Sequence, residues 1–278
     1  MIEGEPSRTA LAAARHRAAH QVLEGGRVFS DPLALAILAA DPAEAAAEAE
    51  AEPERRPMRF FIAARHRVAE DAVAAAAAAG VDQLVVLGAG LDTQAYRAPH
   101  GAAMTVFEVD HPATQAWKRD CLRAAAIPVP TSLRFVAVNF ETDSLTERLA
   151  ACGFDSERRA IFVWLGVVPY LTEAAIFATL FYVASLPGGA EIIFDYADPP
   201  SVWPETLRSM LQTRAAYVAS LGEAWITYFE AAPLAARLRQ LGFTSVEDLN
   251  PANLVRRFAP GTPAPAREHG GHVVRAWT

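Results

Sequence analysis

The feature that most constrains this chain is a short apolar run that breaks on glycine: Leu84-Val85-Val86-Leu87 leads directly into Gly88-Ala89-Gly90-Leu91-Asp92-Thr93. An uninterrupted apolar run rich in β-branched residues describes a strand buried on both faces, as in parallel sheets covered by helices. The glycines permit a tight turn and let a ligand lie against bare backbone. Upstream of this point the composition is helical, and downstream it alternates between strand and helix. The pattern predicts an α/β chain with a doubly wound, mostly parallel sheet and a ligand crevice at the carboxyl end of this strand.

A second mark follows one strand later. Met104-Thr105-Val106-Phe107-Glu108-Val109-Asp110 is apolar and ends on an acid about twenty residues after the glycines, the spacing at which a nucleotide-binding fold grips ribose hydroxyls. Gly88 and Gly90 match the first two glycines of the dinucleotide fingerprint, but Thr93 stands at the third, where helix and strand pack closest around a pyrophosphate. A ligand with ribose and adenine but no diphosphate fits this pattern better.

These residues carry a resemblance. Gly88-Ala89-Gly90-Leu91-Asp92-Thr93, the strand end Glu108-Val109-Asp110-His111-Pro112 and the upstream Phe61-Ile62-Ala63-Ala64-Arg65 resemble the S-adenosylmethionine-dependent methyltransferases of the leucine carboxyl methyltransferase type, including their bacterial secondary-metabolism relatives. Ser30-Asp31-Pro32-Leu33-Ala34 and Gly222-Glu223-Ala224-Trp225 extend the likeness over most of the chain. The resemblance implies S-adenosyl-L-methionine as cofactor, bound by Arg65, Gly88, Ala89, Gly90, Asp110, Asn139 and Phe140. Arg65 would hold the carboxylate of the methionine part, for which a planar two-pronged donor is apt. Asn139 stands where relatives carry an aspartate that accepts from the adenine amine, and its amide oxygen can accept the same bond. Leu165 stands where relatives commonly carry a glutamate, so it is left out of the binding set.

Further strands are expected at Leu133 to Phe140, within Ala160 to Leu171 as a strand and its exit, at Glu191 to Tyr196, Phe243 to Leu249 and His272 to Trp277. With the first two they make seven, and the resemblance implies a Rossmann-like class I methyltransferase sheet with an antiparallel edge. A single domain is expected over 1–278: a helical cap at 1–80, a cofactor-binding core at 81–198, a lid-like helical insertion at 199–232, then a terminal helix and strands at 233–278. A long helix is expected from Arg59 to Ala79, a helix opened by Asp31-Pro32, and an exposed, poorly ordered segment from Ala43 to Glu54.

Composition excludes several functions. Twenty-five basic against thirty-two acidic side chains leave a formal charge of −7, which argues against a nucleic-acid surface, since such binding depends on neutralising phosphates. No long apolar span or basic-then-apolar leader occurs, so a protein without membrane association and in the cytoplasm is expected. Cys121 and Cys152 form no close pair or metal-like cluster.

The expected reaction is methyl transfer by in-line displacement to the oxygen of a small-molecule acceptor, preferably a carboxylate, which needs no general base. No catalytic residue is assigned; a phenol, alcohol or amine would require a base, with His20, His111 and Tyr170 as candidates. In the resemblance, a basic residue of the first helix lies over the active site, and Arg17 matches it best. Two competing readings are a nicotinamide-dependent oxidoreductase, which the absent third glycine and absent Tyr-x-x-x-Lys pair oppose, and a non-catalytic adenosyl-binding protein.

Overall fold

The computed structural model describes residues 7–97, 104–205, 224–261 and 269–278, together with 208, 213, 215, 216 and 219. Seven strands form one sheet: β1 (Gln83–Leu87), β2 (Thr105–Asp110), β3 (Leu133–Ala137), β4 (Ala160–Trp164), β5 (Ala190–Ala197), β6 (Ser245–Leu249) and β7 (Gly271–Trp277). Their spatial order is β3-β2-β1-β4-β5-β7-β6. The first five run parallel, and β7 lies antiparallel between β5 and β6. The order reverses between β1 and β4, and the carboxyl ends of that pair open the crevice in which such sheets bind ligands.

Side-chain alternation sorts the buried strands onto two helical layers. Leu84, Val86, Val106, Ile161, Val163 and Ile193 face α3 (Arg56–Ala78), which packs Ala64, Val68, Ala72 and Val73 against them. Val85, Leu87, Phe107, Phe162, Trp164 and Phe194 face the other way, toward Leu149 of α6 (Leu145–Ala151), Ile176, Leu180 and Val183 of α7 (Glu173–Ala184), and Leu234 and Leu238 of α8 (Ala231–Leu241). A smaller cluster of Ala14, Ile37, Leu91, Leu122 and Ile127, with Tyr96 of α4 (Gln94–Arg97) packed against it, brings α1 (Arg8–Leu23) and α5 (Pro112–Ala124) to the end of β1.

Four local expectations are corrected. Asp31-Pro32 opens no α-helix: the chain makes turns and a single 3-10 turn at Ala36–Leu38, and the Asp31 carboxylate accepts from the Leu33 amide as well as from Arg17 and Thr93. The Ala- and Glu-rich stretch is exposed as expected but helical, α2 (Pro42–Glu50), with the Asp41 carboxylate accepting from the amides of Ala43 and Glu44. The third strand stops at Ala137 instead of Phe140, since the Asn139 side chain accepts from the Glu141 amide and its own amide donates to Asp143, turning the chain. A short helix, α9 (Pro251–Phe258), stands where no helix was expected, capped by Asn250, which accepts from the Asn253 amide. Of the insertion, 199–205, 208, 213, 215, 216, 219 and 224–232 are described, with Trp203 and Phe229 buried; Tyr217 and Gly222-Glu223 lie outside the described residues.

Candidate functional site at the β1–β4 crevice

The turn after β1 has the backbone its glycines suggest. Gly88 and Gly90 adopt φ of +64° and +44°, left-handed values that a side chain disfavours. The amides of Gly88 and Ala89 both donate to the Val109 carbonyl, at 2.8 and 3.1 Å, hooking the turn back over β2. The Gly90 amide donates to Asp110 Oδ2 at 2.5 Å and the His111 amide to Asp110 Oδ1 at 2.7 Å. The two sequence marks are therefore one device, with the acid bonded to the glycine turn. Burial raises the Asp110 pKa, and the Gly90 and His111 amides pull against it. Asn139 and Phe140 join the same rim, because the neighbouring Val138 amide donates to the Asp110 carbonyl at 2.9 Å. Phe140 also lies 6.5 Å from the Trp164 ring, centroid to centroid.

Arg65 reaches the crevice from α3. It is 7% exposed, and its Nη1 donates to Asp195 Oδ2 of β5 at 2.8 Å. Asp195 Oδ1 accepts from the Gly166 amide just past β4. A Cβ on Gly166 would stand 2.7 Å from Arg65 Nη2, and one on Gly88 would strike the Val167 side chain. The β4 exit is thus wedged between the arginine and the glycine turn, bringing Arg65 and Gly88 to one locality. Arg65 Nε is buried without a hydrogen-bond partner.

Arg17 is buried against the glycine turn. Its Nε donates to Asp31 Oδ2 at 3.1 Å and its Nη2 to the Leu91 carbonyl at 2.5 Å, so it ties the glycine turn to Asp31. Thr93 Oγ1 donates to Asp31 Oδ1 at 2.8 Å, and Arg97 Nε donates to Thr93 Oγ1 at 2.9 Å. The threonine at the third glycine position is the joint between the turn and a buried aspartate.

Two of the three candidate bases serve the fold. His20 Nδ1 pairs with Glu24 at 3.1 Å, and its Nε2 accepts from the amides of Val28 and Phe29. Burial lowers its pKa against the pull of Glu24. His111 caps α5, with Nδ1 accepting from the Ala113 amide at 3.3 Å. Tyr170 ends a 3-10 turn, Val168–Tyr170, beyond β4. The reading from sequence missed Asp31 and Asp195 as site-builders. An acid within the apolar run of β5 was the available signal for Asp195, since a buried carboxylate requires partners.

The family model of leucine carboxyl methyltransferase matches residues 10–184, from α1 through α7. The chain belongs to the leucine carboxyl methyltransferase family. Within the family's matched span lie Arg17, Asp31, Arg65, the glycine turn, Asp110, Asn139 and Gly166; Asp195 lies beyond it. The protein YktD of Bacillus subtilis (strain 168), whose name provisionally describes an S-adenosyl-L-methionine-dependent methyltransferase, is 33% identical over 179 residues, 63% of this chain and 58% of that one. A Mycobacterium avium (strain 104) protein of the same provisional description is 41% identical over 146 residues, 51% and 46% of the two chains. The match thus spans about half the length of these relatives. Among solved structures, a provisionally described methyltransferase from Thermobifida fusca superposes with a TM-score of 0.58 at 15% identity, covering 99% of this chain and 96% of its own. A DUF574 family protein from Streptomyces avermitilis gives 0.56 at 15% identity, with 94% and 95% covered. At such identities the likeness speaks for the fold, and it extends over the whole α/β architecture.

Proposed function

We propose that this protein is an S-adenosyl-L-methionine-dependent O-methyltransferase acting on a small molecule, with a carboxylate as preferred acceptor. The observation that carries the cofactor assignment is the bond from the Gly90 amide to Asp110: a bare turn and a carboxylate share one rim at the point where strand order reverses. The residues present suit the cofactor. The Asp110 carboxylate can receive two ribose hydroxyls, and Asn139 and Phe140 offer an amide and a ring for adenine. The partnerless Arg65 Nε, beside Nη2, offers an edge for the methionine carboxylate.

When bound, the cofactor supplies a methyl group already activated by the positive charge of its sulfonium. The chain's own residues then have to hold the ligand's two ends, bring the acceptor oxygen into line and exclude water. Asp110 and Arg65 perform the first task. His20 and His111 are engaged in holding α1 and α5, which leaves Tyr170 as the candidate base for an acceptor that carries a proton; an acceptor that arrives without a proton to lose needs none. Carboxylates meet that condition at neutral pH. Described helices include none long and apolar enough to cross a membrane, and the net charge of −7 suits a small acceptor better than a nucleic acid.

Thermal-shift titration with S-adenosylhomocysteine and with NAD tests the cofactor, because a ligand that binds only the folded state raises its midpoint. Stabilisation by the former alone is expected; stabilisation by NAD alone overturns the proposal. Methyl transfer from labelled cofactor to a panel of acids and phenols tests the acceptor: a carboxyl product releases label as methanol on mild alkaline treatment. Alkali-stable product only would refute the carboxylate assignment.

A further inference from the structure

Asp92 closes the glycine turn, and among the described residues its carboxylate forms an ion pair with His66 of α3 alone. Asp92 Oδ1 accepts from the Gln94 amide at 2.7 Å, and the Asp92 amide donates to the Ala89 carbonyl at 2.7 Å, so the residue fastens the turn to α4 and to itself. Asp92 Oδ2 lies 3.4 Å from His66 Nε2. The other ring nitrogen shows where the first proton sits. His66 Nδ1 is 2.7 Å from the Ile62 carbonyl, an oxygen that can only accept, so Nδ1 carries hydrogen. In a neutral ring Nε2 is then a bare acceptor facing a carboxylate oxygen, and only the doubly protonated ring makes the contact attractive. His66 is 5% exposed, with its ring 5.1 Å from that of Phe29, so water does little to soften the choice. The other charges around the pair are Arg17 of α1, Asp31, Arg65 and Glu70 of α3, Arg97 of α4 and Glu108 of β2. They are matched among themselves or elsewhere: Arg17 and Arg97 with Asp31, Arg97 also with Glu70, Arg65 with Asp195, and Glu108 with Lys118.

We propose that His66 is a positioning residue whose imidazolium form holds Asp92 and sets the glycine turn for its ligand, so that ligand binding and proton uptake at Nε2 favour each other. This rests on the adenosyl site proposed above and adds to it a proton taken up by the protein. Burial lowers the His66 pKa from its usual 6.5, the bond and charge of Asp92 pull it back up, and Arg17 and Arg65 add to the lowering. The charged form is therefore present below a midpoint that itself lies under 6.5, and affinity declines as pH rises through that midpoint. By reciprocity, a ligand that prefers the charged form raises the His66 pKa by the same factor.

Titration of the His66 ring by NMR in wild-type protein, without and with saturating S-adenosylhomocysteine, tests this directly. The ligand should raise the midpoint by about one pH unit, equivalent to about tenfold tighter binding to the charged form; an unmoved midpoint overturns the proposal without requiring any variant. His66→Gln supplies the comparison, since its amide NH2 can donate to Asp92 at every pH. Calorimetry with S-adenosylhomocysteine between about pH 5 and about pH 8 should show the ratio of wild-type to variant Kd rising about tenfold, any titration of Asp110 being common to both proteins. A ratio that stays constant across that range would mean that His66 serves only the packing of α3. If wild-type protein bound no S-adenosylhomocysteine at any pH, the adenosyl reading itself would fail, and this proposal with it; binding with an unmoved His66 midpoint would sink this proposal alone.

Discussion

Asp110→Ala probes the central bond of the site, and the structure shows that two effects must be separated. The carboxylate accepts from two backbone amides, one on each oxygen, at 2.5 and 2.7 Å. Truncation leaves both without their acceptor. An orphaned buried donor costs about 1–3 kcal/mol, and since Asp110 and His111 are only partly covered, water can replace part of the loss. A total near the lower end for each bond, about 2 kcal/mol, corresponds to a fall in Tm of about 4–8 °C for a domain of this order of size. The loss of ribose contacts comes on top. Two hydroxyl bonds to a charged acceptor, at about 1.5 kcal/mol each as a lower bound, amount to about 3 kcal/mol or a 100-fold rise in the Kd for S-adenosylhomocysteine. Calorimetric titration well below the variant's Tm measures the second effect alone. Asp110→Asn, which retains one acceptor oxygen, should fall between wild type and alanine in both measurements. Because burial raises the pKa of this carboxyl against the pull of two amides, wild-type affinity should also weaken with acidification earlier than an ordinary aspartate would cause. A folded alanine variant whose Kd stays within about threefold of wild type would refute the ribose assignment, leaving Asp110 as a brace for the turn.

Thr93→Val removes a hydroxyl that donates to Asp31 and accepts from Arg97; the expected loss is about 1–3 kcal/mol of unfolding free energy by denaturant titration, with Thr93→Ser recovering most of it. An unchanged midpoint in the valine variant would show that Asp31 does not need the threonine. His272 gives a pH signature. Burial lowers its pKa, but hydrogen bonds to Asp198 and Asp248, with their charges, outweigh that and raise it from 6.5 to about 9. The Tyr196 hydroxyl, 3.1 Å from Nδ1, and His269, 3.7 Å from Asp198, complete the cluster. A histidine with a raised folded pKa stabilises fully below pH 6.5, progressively less as pH rises, and not at all above about pH 9. Wild type should therefore exceed His272→Gln in unfolding free energy by up to about 3 kcal/mol at low pH, converging above pH 9; a gap constant across that range would contradict the charged cluster.

What was legible in the sequence follows a physical division. Gly88, Gly90 and the apolar strands before them act through the backbone, and backbone demands are local: positive φ calls for glycine, and burial on both faces calls for an unbroken apolar run. Such residues declare themselves within a few positions of the chain. The Asn250-Pro251 helix start is equally local and could have been read from the cap. Asp31 is different. Beside Pro32 it has every local mark of a helix cap, yet its carboxylate is taken by Arg17, fourteen residues before it, and by Thr93, sixty-two after it. Asn139 is by contrast local: its side chain accepts from the Glu141 amide two residues on, a turn signal that its apolar neighbours mask. Thr93 reads locally as a missing glycine, an obstacle to a diphosphate; across the fold it is the donor that a buried aspartate requires. Asp195 and Arg65 complete the contrast, since Asp195 is an acid in an apolar strand and Arg65 one of several charges on an amphipathic helix, and only the meeting of α3 with β5 makes them a pair. Residues that shape the chain were thus open to inspection one at a time, whereas those whose task is to hold another side chain acquire meaning only as partners. That is why the place of the crevice could be read from sequence while the wiring that stiffens it could not.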